Sequence, residues 1–131
     1  MPAMPIEILG DPAADQRGFR RCLGQFSTGV TIIAAEHDGQ RVGVTANSFS
    51  SLSLDPPLIL WSIGRTSRAF STFMEAPRFA VSILAEDQVD VSQRFSSKDT
   101  DKFAGIGWES GGNGAPVIKN SAARLECQTE A

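Results

Sequence analysis

No stretch of this chain approaches the ~20 apolar residues that a membrane-spanning helix requires. The N-terminus lacks a basic region followed by an apolar run, so it does not read as a secretory signal. There is no basic stripe of the kind that tracks nucleic acid and no long acidic tail; the formal net charge is -3, with both signs mixed along the chain. Cysteine is scarce: Cys22 and Cys127 share no metal-ligand spacing and are too few for a disulfide scaffold, so both read as reduced, buried thiols. The only histidine, His37, has no second ligand or nucleophile at a meaningful spacing and reads as a solvated turn residue. No Walker loop, nucleophile–base pair or metal cluster appears. These absences predict a soluble cytoplasmic protein. If it is an enzyme, a bound cofactor should carry the reaction while backbone groups and hydroxyls orient it.

What is present suffices for one domain with a real core: 131 residues, 41% hydrophobic and 21% charged. The chain is organised around Gly43–Pro57, GVTANSFSSLSLDPP. Val42, Val44 and Ala46 alternate with Gly43, Thr45 and Asn47, so a strand here has one apolar face and one small polar face that leaves room for a ligand. Ser48, Ser50, Ser51 and Ser53 follow in what reads as a tight loop, ended by Asp55-Pro56-Pro57. An ordinary strand and turn with solvated serines fits the same pattern.

In chain order, Met1 to Gly10 contains two prolines after the initial methionine and reads as an extended arm. Asp11-Pro12 can start a helix whose buried face carries Phe19, Cys22, Leu23 and Phe26, with Arg17, Arg20 and Arg21 solvated. Val30–Ala35 is rich in β-branched residues and predicts a strand. Asp38-Gly39 signals a type I′ hairpin into the Val42–Ser48 strand. Leu58–Ile63 predicts a buried central strand. Thr66 or Ser67 can cap a short helix burying Phe70, Phe73 and Met74. Phe79–Leu84 predicts a strand, Glu86–Phe95 a helix and Asp99–Phe103 a further helical turn. Gly105 to Gly114 holds five glycines around Trp108 and reads as a surface loop or a lid. Val117-Ile118 and Ala123–Cys127 begin two more strands. Strands outnumber helices and do not alternate with them as a doubly wound parallel sheet requires. The predicted class is mainly β, an antiparallel barrel, closed or partly closed, with peripheral α-helices.

FSTGVTII (Phe26–Ile33), Asp38-Gly39, GVTANSFSSLSLDPPLIL (Gly43–Leu60), the Ser67 region, FAVSIL (Phe79–Leu84) and the GAPVI…ARLEC ending together resemble the short-chain flavin reductases, the reductase components of two-component flavin-dependent monooxygenases. The resemblance runs from about Phe19 to Cys127 and implies a Greek-key split barrel that binds FMN or FAD. It implies NADH or NADPH as co-substrate, hydride transfer from nicotinamide C4 to flavin N5, a separate monooxygenase partner, and a homodimer. Thr28, Gly29, Val30 and Thr31, with Thr45, Ala46, Asn47 and Ser48, would lie beside the isoalloxazine ring, Asn47 at its polar edge. Ser48, Phe49, Ser50, Ser51, Leu52 and Ser53 would follow the ribityl and phosphate portion. Ser62, Ile63 and Ser67 would complete the wall, with Ser82, Gln88 and Arg94 as further contacts. No residue is assigned as catalytic, because hydride transfer needs no strong general base. Relatives continue past Ala131 through further strands and a Gly-Asp-His motif. This chain is therefore expected to be truncated, or to borrow a partner strand, and to be impaired in nicotinamide binding. A non-enzymatic flavin carrier on the same fold is the alternative; a pyridoxal-phosphate-linked oxidase would show a more basic phosphate site in the central motif.

Overall fold

The computed structural model describes residues 3–7, 30–46, 50–54, 57–97 and 101–129, and of 3–7, 50–54, 57–58 and 60 the backbone alone. The predicted helix through Phe19 to Phe26, and with it Cys22, lies outside the described residues.

Nine strands and two short helices are described: β1 (Ala3–Glu7), β2 (Thr31–His37), β3 (Gln40–Ala46), β4 (Ser50–Leu54), β5 (Pro57–Leu60), α1 (Phe70–Glu75), β6 (Arg78–Ile83), α2 (Val89–Phe95), β7 (Trp108–Ser110), β8 (Pro116–Ile118) and β9 (Ala123–Gln128). Seven strands form one sheet in the order β3-β2-β6-β9-β1-β5-β4, and β7 pairs with β8 in a small hairpin. Every pairing is antiparallel. The class is mainly β with few helices, as expected; no pairing among the described residues joins β3 to β4 and closes a barrel.

Of the N-terminal segment, expected as an extended arm, Ala3–Glu7 form β1 inside the sheet, with Met4 opposite Ile59 and Ile6 opposite Cys127. The serine-rich segment is not wholly a loop: Ser50–Leu54 pairs with Pro57–Leu60, with a register shift between Ser51 and Ser53. An inserted residue of this kind bends the strand locally, and the local serine count hid a strand whose partner directly follows the turn.

The hairpin between β2 and β3 matches its sequence signal. Asp38 and Gly39 both adopt positive φ, 50° and 76°, as a type I′ turn demands. Strand β2 is apolar on both faces because both are covered. Ile33 and Ala35 pack with Ile59, Trp61, Phe73, Phe79, Val81, Ile83 and Leu125. Ile32 and Ala34 pack with Leu84, Val91, Phe95, Phe103 and Ile118. Burying one such aliphatic side chain stabilises by about 1.5–3 kcal/mol. Ile59 of β5 shares a cluster with Ile33 of β2, four places away in the sheet order, so the sheet curls around this core. Trp61 meets Phe73 edge-on at 4.9 Å. Within α1, Phe73 is buried, whereas Met74 is 46% exposed, contrary to the sequence expectation. Cys127 is buried.

The glycine-rich segment, expected as a surface loop or a lid, carries β7 and the turn that pairs it with β8 in a hairpin. Gly111 N donates to Ala115 O, and the Asn113 side chain locks the turn. Its Nδ2 donates to Phe79 O and Cys127 O, both at 3.2 Å, and its Oδ1 accepts from Ala115 N at 3.0 Å. Asn113→Ala would remove all three of these side-chain hydrogen bonds. A loss of about 1–3 kcal/mol is expected, read as a lower denaturant midpoint at unchanged slope; an unchanged midpoint would show that water replaces the amide without penalty.

Candidate functional site

The first half of β3, the segment before α1 and the segment after α2 enclose a cleft of about 600 Å³. Gln40, Arg41, Val42 and Gly43 form one wall, Thr66, Ser67, Arg68 and Ala69 the other, and Ser97, Lys102 and Phe103 the floor. The volume is within the range of small-molecule sites. Among the described residues strand β3 ends the sheet order, so this wall is an edge of that sheet.

Among the described residues, three cations and no carboxylate line the cleft. Arg41 is held in place: its Nε donates to Glu36 Oε1 at 3.0 Å, and its guanidinium lies 3.9 Å from the Trp108 ring centroid and 5.7 Å from that of Phe103. Such stacking orients a guanidinium while leaving its edges free to donate. Lys102 Nζ donates to Phe95 O at 2.9 Å and to Gly43 O at 3.3 Å, which brings the ammonium to β3. Arg68 is exposed and makes no ion pair among the described residues. With the hydroxyls of Thr66, Ser67 and Ser97, this wall suits an anionic, hydrogen-bond-accepting group such as a phosphate.

The small face of β3 does not stand open along its whole length. A Cβ at Gly43 would come within 2.6 Å of Phe95 Cε1 and 3.2 Å of Phe103 Cζ, so the missing side chain admits α2 and not a ligand. Thr45 Oγ1 donates to Ser92 O at 2.7 Å and ties the same face to α2. The opposite face behaves as read: Val42 and Val44 pack on the core and Ala46 is buried in it.

Several residues expected at a flavin have structural partners. Thr31 is fully buried, and its hydroxyl donates to Ala46 O at 2.6 Å. Ser82 Oγ, also buried, accepts from Ile118 N at 3.0 Å. Gln88 accepts from Ala85 N at 2.8 Å and donates to Lys119 O at 2.9 Å. Arg94 donates to the carbonyls of Asp101 and Ala104. Ser62 is exposed and Ile63 packs on the core. Val30 accepts from Leu84 N through its carbonyl at 2.8 Å. Ser67 is in the cleft, and its hydroxyl accepts from Ala69 N at 3.2 Å just ahead of α1. Ser50, Ser51, Leu52 and Ser53 are in β4. Thr28, Gly29, Asn47, Ser48 and Phe49 lie outside the described residues.

Arg41, Arg68 and Lys102 were not singled out from the sequence. For Arg41 a signal exists: it stands two residues before Gly43 and so shares the small face of β3. For Lys102 none exists locally, because only the tertiary fold carries it to Gly43.

Residues 23–131 match the flavin reductase like domain. The chain is 47% identical over 113 residues to the flavin-dependent monooxygenase reductase subunit HsaB of Mycobacterium tuberculosis, covering 86% of this chain and 60% of that protein. It is 42% identical over 129 residues to the FMN reductase (NADH) SmoA of Agrobacterium fabrum, covering 98% of this chain and 74% of the relative. Among solved structures, the Streptomyces globisporus NADH:FAD oxidoreductase SgcE6, in complex with NAD and FAD fragments, superposes with a TM-score of 0.74 at 34% identity, covering 95% of this chain and 75% of that one. The chain thus spans about 60% of the length of the HsaB relative.

Proposed function

The chain belongs to the flavin reductase family, and on that footing we propose that it is an NAD(P)H:flavin oxidoreductase supplying reduced flavin to a partner monooxygenase. The proposed scaffold is a Greek-key split barrel acting as a cytoplasmic homodimer, whose second copy would cover the exposed strand edges. One observation of the site carries the reading: a cleft lined, among the described residues, by three cations and no carboxylate runs along the strand that leads to Thr45 and Ala46. That composition fits a phosphate-bearing nucleotide. The name of the Agrobacterium fabrum relative favours FMN and NADH.

Bound flavin supplies the hydride acceptor. The chain's own residues bind and orient it. Arg68 and Lys102 hold the phosphate end, with Ser67 beside them, and the stacked Arg41 keeps positive charge fixed on the strand wall. Thr45 and Ala46 continue from this wall; by family resemblance they, with Asn47 and Ser48, would lie beside the ring, where backbone N–H groups would stabilise negative charge developing on the flavin. Phe103 and Phe95 exclude water beneath the strand. None of these residues needs to exchange a proton with the reacting atoms.

The test is steady-state nicotinamide oxidation with FMN or FAD against NADH or NADPH. Flavin-dependent turnover is expected, with FMN and NADH the preferred pair. In Asn47→Ala, flavin affinity should fall about five- to tenfold, the worth of one hydrogen bond, at an unchanged melting temperature. Tight flavin binding without turnover under any combination would favour a carrier over a reductase.

A further inference from the structure

The tip of the β2–β3 hairpin carries a second group of donors. His37 and Asp38 meet Glu75, at the end of α1, so that one ligand atom from each lies within 4.8 Å of the others. The His37 and Asp38 side chains are 31% and 84% exposed, and His37 Nε2 is 3.6 Å from Asp38 Oδ2. Two carboxylates from separate elements therefore converge without a cation between them. Neither Asp38 nor Glu75 pairs with a Lys or Arg among the described residues. The nearest arginine along the hairpin, Arg41, is held by Glu36. Both supports are firm. Asp38 occupies the positive-φ turn position. Helix α1 is anchored by buried Phe73, and the following Ala76 carbonyl accepts from Thr129 Oγ1 at 3.1 Å.

We propose that His37, Asp38 and Glu75 form a binding site for a divalent transition ion of the zinc and cobalt class. One imidazole nitrogen and two carboxylate oxygens make a borderline donor set that suits such ions better than calcium or magnesium, and the solvent-open side leaves room for water ligands. The ion joins the hairpin tip to α1. The residues just past the tip, Gln40–Gly43, and those just before α1, Thr66–Ala69, are the two walls of the cleft. The site lies outside the cleft lining and takes no part in hydride transfer, so it stands independently of the reductase reading.

The experiment titrates the chelator-stripped chain with Co²⁺, followed by visible absorption, and with Zn²⁺ by equilibrium dialysis. One ion per chain is expected. His37→Ala and Glu75→Gln should each weaken affinity about tenfold or more, while the metal-free melting temperature stays at the wild-type value. Glu86→Gln, at an exposed carboxylate elsewhere, should bind as wild type does. The proposal is overturned by absence of binding up to millimolar metal, by unchanged affinity in either of the first two variants, or by an equal loss in Glu86→Gln.

Discussion

Replacing Phe95 with alanine is expected to lower the free energy of unfolding by about 3–5 kcal/mol. Phe95 is 1% exposed and meets Phe103 edge-on at 4.9 Å. Its ring fills the space where Gly43 has no side chain. Truncation would remove the contacts that hold α2 on β3 and leave a cavity between rigid elements, since the Thr45–Ser92 hydrogen bond prevents the helix from collapsing inward. Urea unfolding of the purified chain measures the loss; a change below about 1 kcal/mol would mean that α2 is held by other contacts. A paired substitution sharpens the test. Gly43→Ala alone should destabilise by about 1–3 kcal/mol through overpacking. In the Phe95→Ala background the same change should be close to neutral, because the cavity accepts the methyl group. Strict additivity of the two would disprove the direct contact.

Arg68→Ala is expected to raise the dissociation constant for FMN about tenfold while leaving that for riboflavin unchanged. A hydrogen bond to a charged group contributes about 1.5–3 kcal/mol, and the exposure of Arg68 puts the expected loss at the lower end. Arg68 is the cleanest of the three cleft cations to remove. Arg41 also stacks on Trp108, and Lys102 also binds two backbone carbonyls, so their loss would disturb the wall itself. Arg68→Glu should weaken FMN further by placing like charges together. Flavin fluorescence titration of both ligands reads the result. Equal weakening of FMN and riboflavin would mean that Arg68 does not face the phosphate; no effect on either would place the phosphate elsewhere.

The features legible in the sequence were those decided by neighbours along the chain. The turn at Asp38-Gly39, the alternation of Val42, Val44 and Ala46, and the apolar strands through Ile33 and Val81 all follow from local chemistry. What could not be read was decided across the fold. The small residues Gly43 and Thr45 look alike whether they admit a cofactor or a helix, and here Phe95 and Ser92 occupy that side. Ser82 and Gln88 look like available polar groups until β8 and the Lys119 carbonyl supply their partners. The cleft gathers residues from positions 40, 66 and 102, a combination that no window of sequence contains. The metal-type donors were missed for the same reason: His37 has no second ligand at a useful spacing, but Glu75 reaches it through space.

The position of β1 has a kinetic consequence. It sits between β9 and β5, so one of its neighbours in the sheet is the last described strand of the chain. During synthesis β1 leaves the ribosome before every other described strand, and Ile6 can face Cys127 only after β9 has emerged. The sheet therefore cannot assemble fully in the order in which its strands emerge, and its completion requires a long loop closure before the pairing that rewards it. Until then Phe79, Val81 and Leu125 belong to an unfinished sheet, with β9 lacking one of its two strand neighbours. In a nascent chain this is the interval most exposed to misassociation, and the pairing of β1 with β9 is the step that closes it.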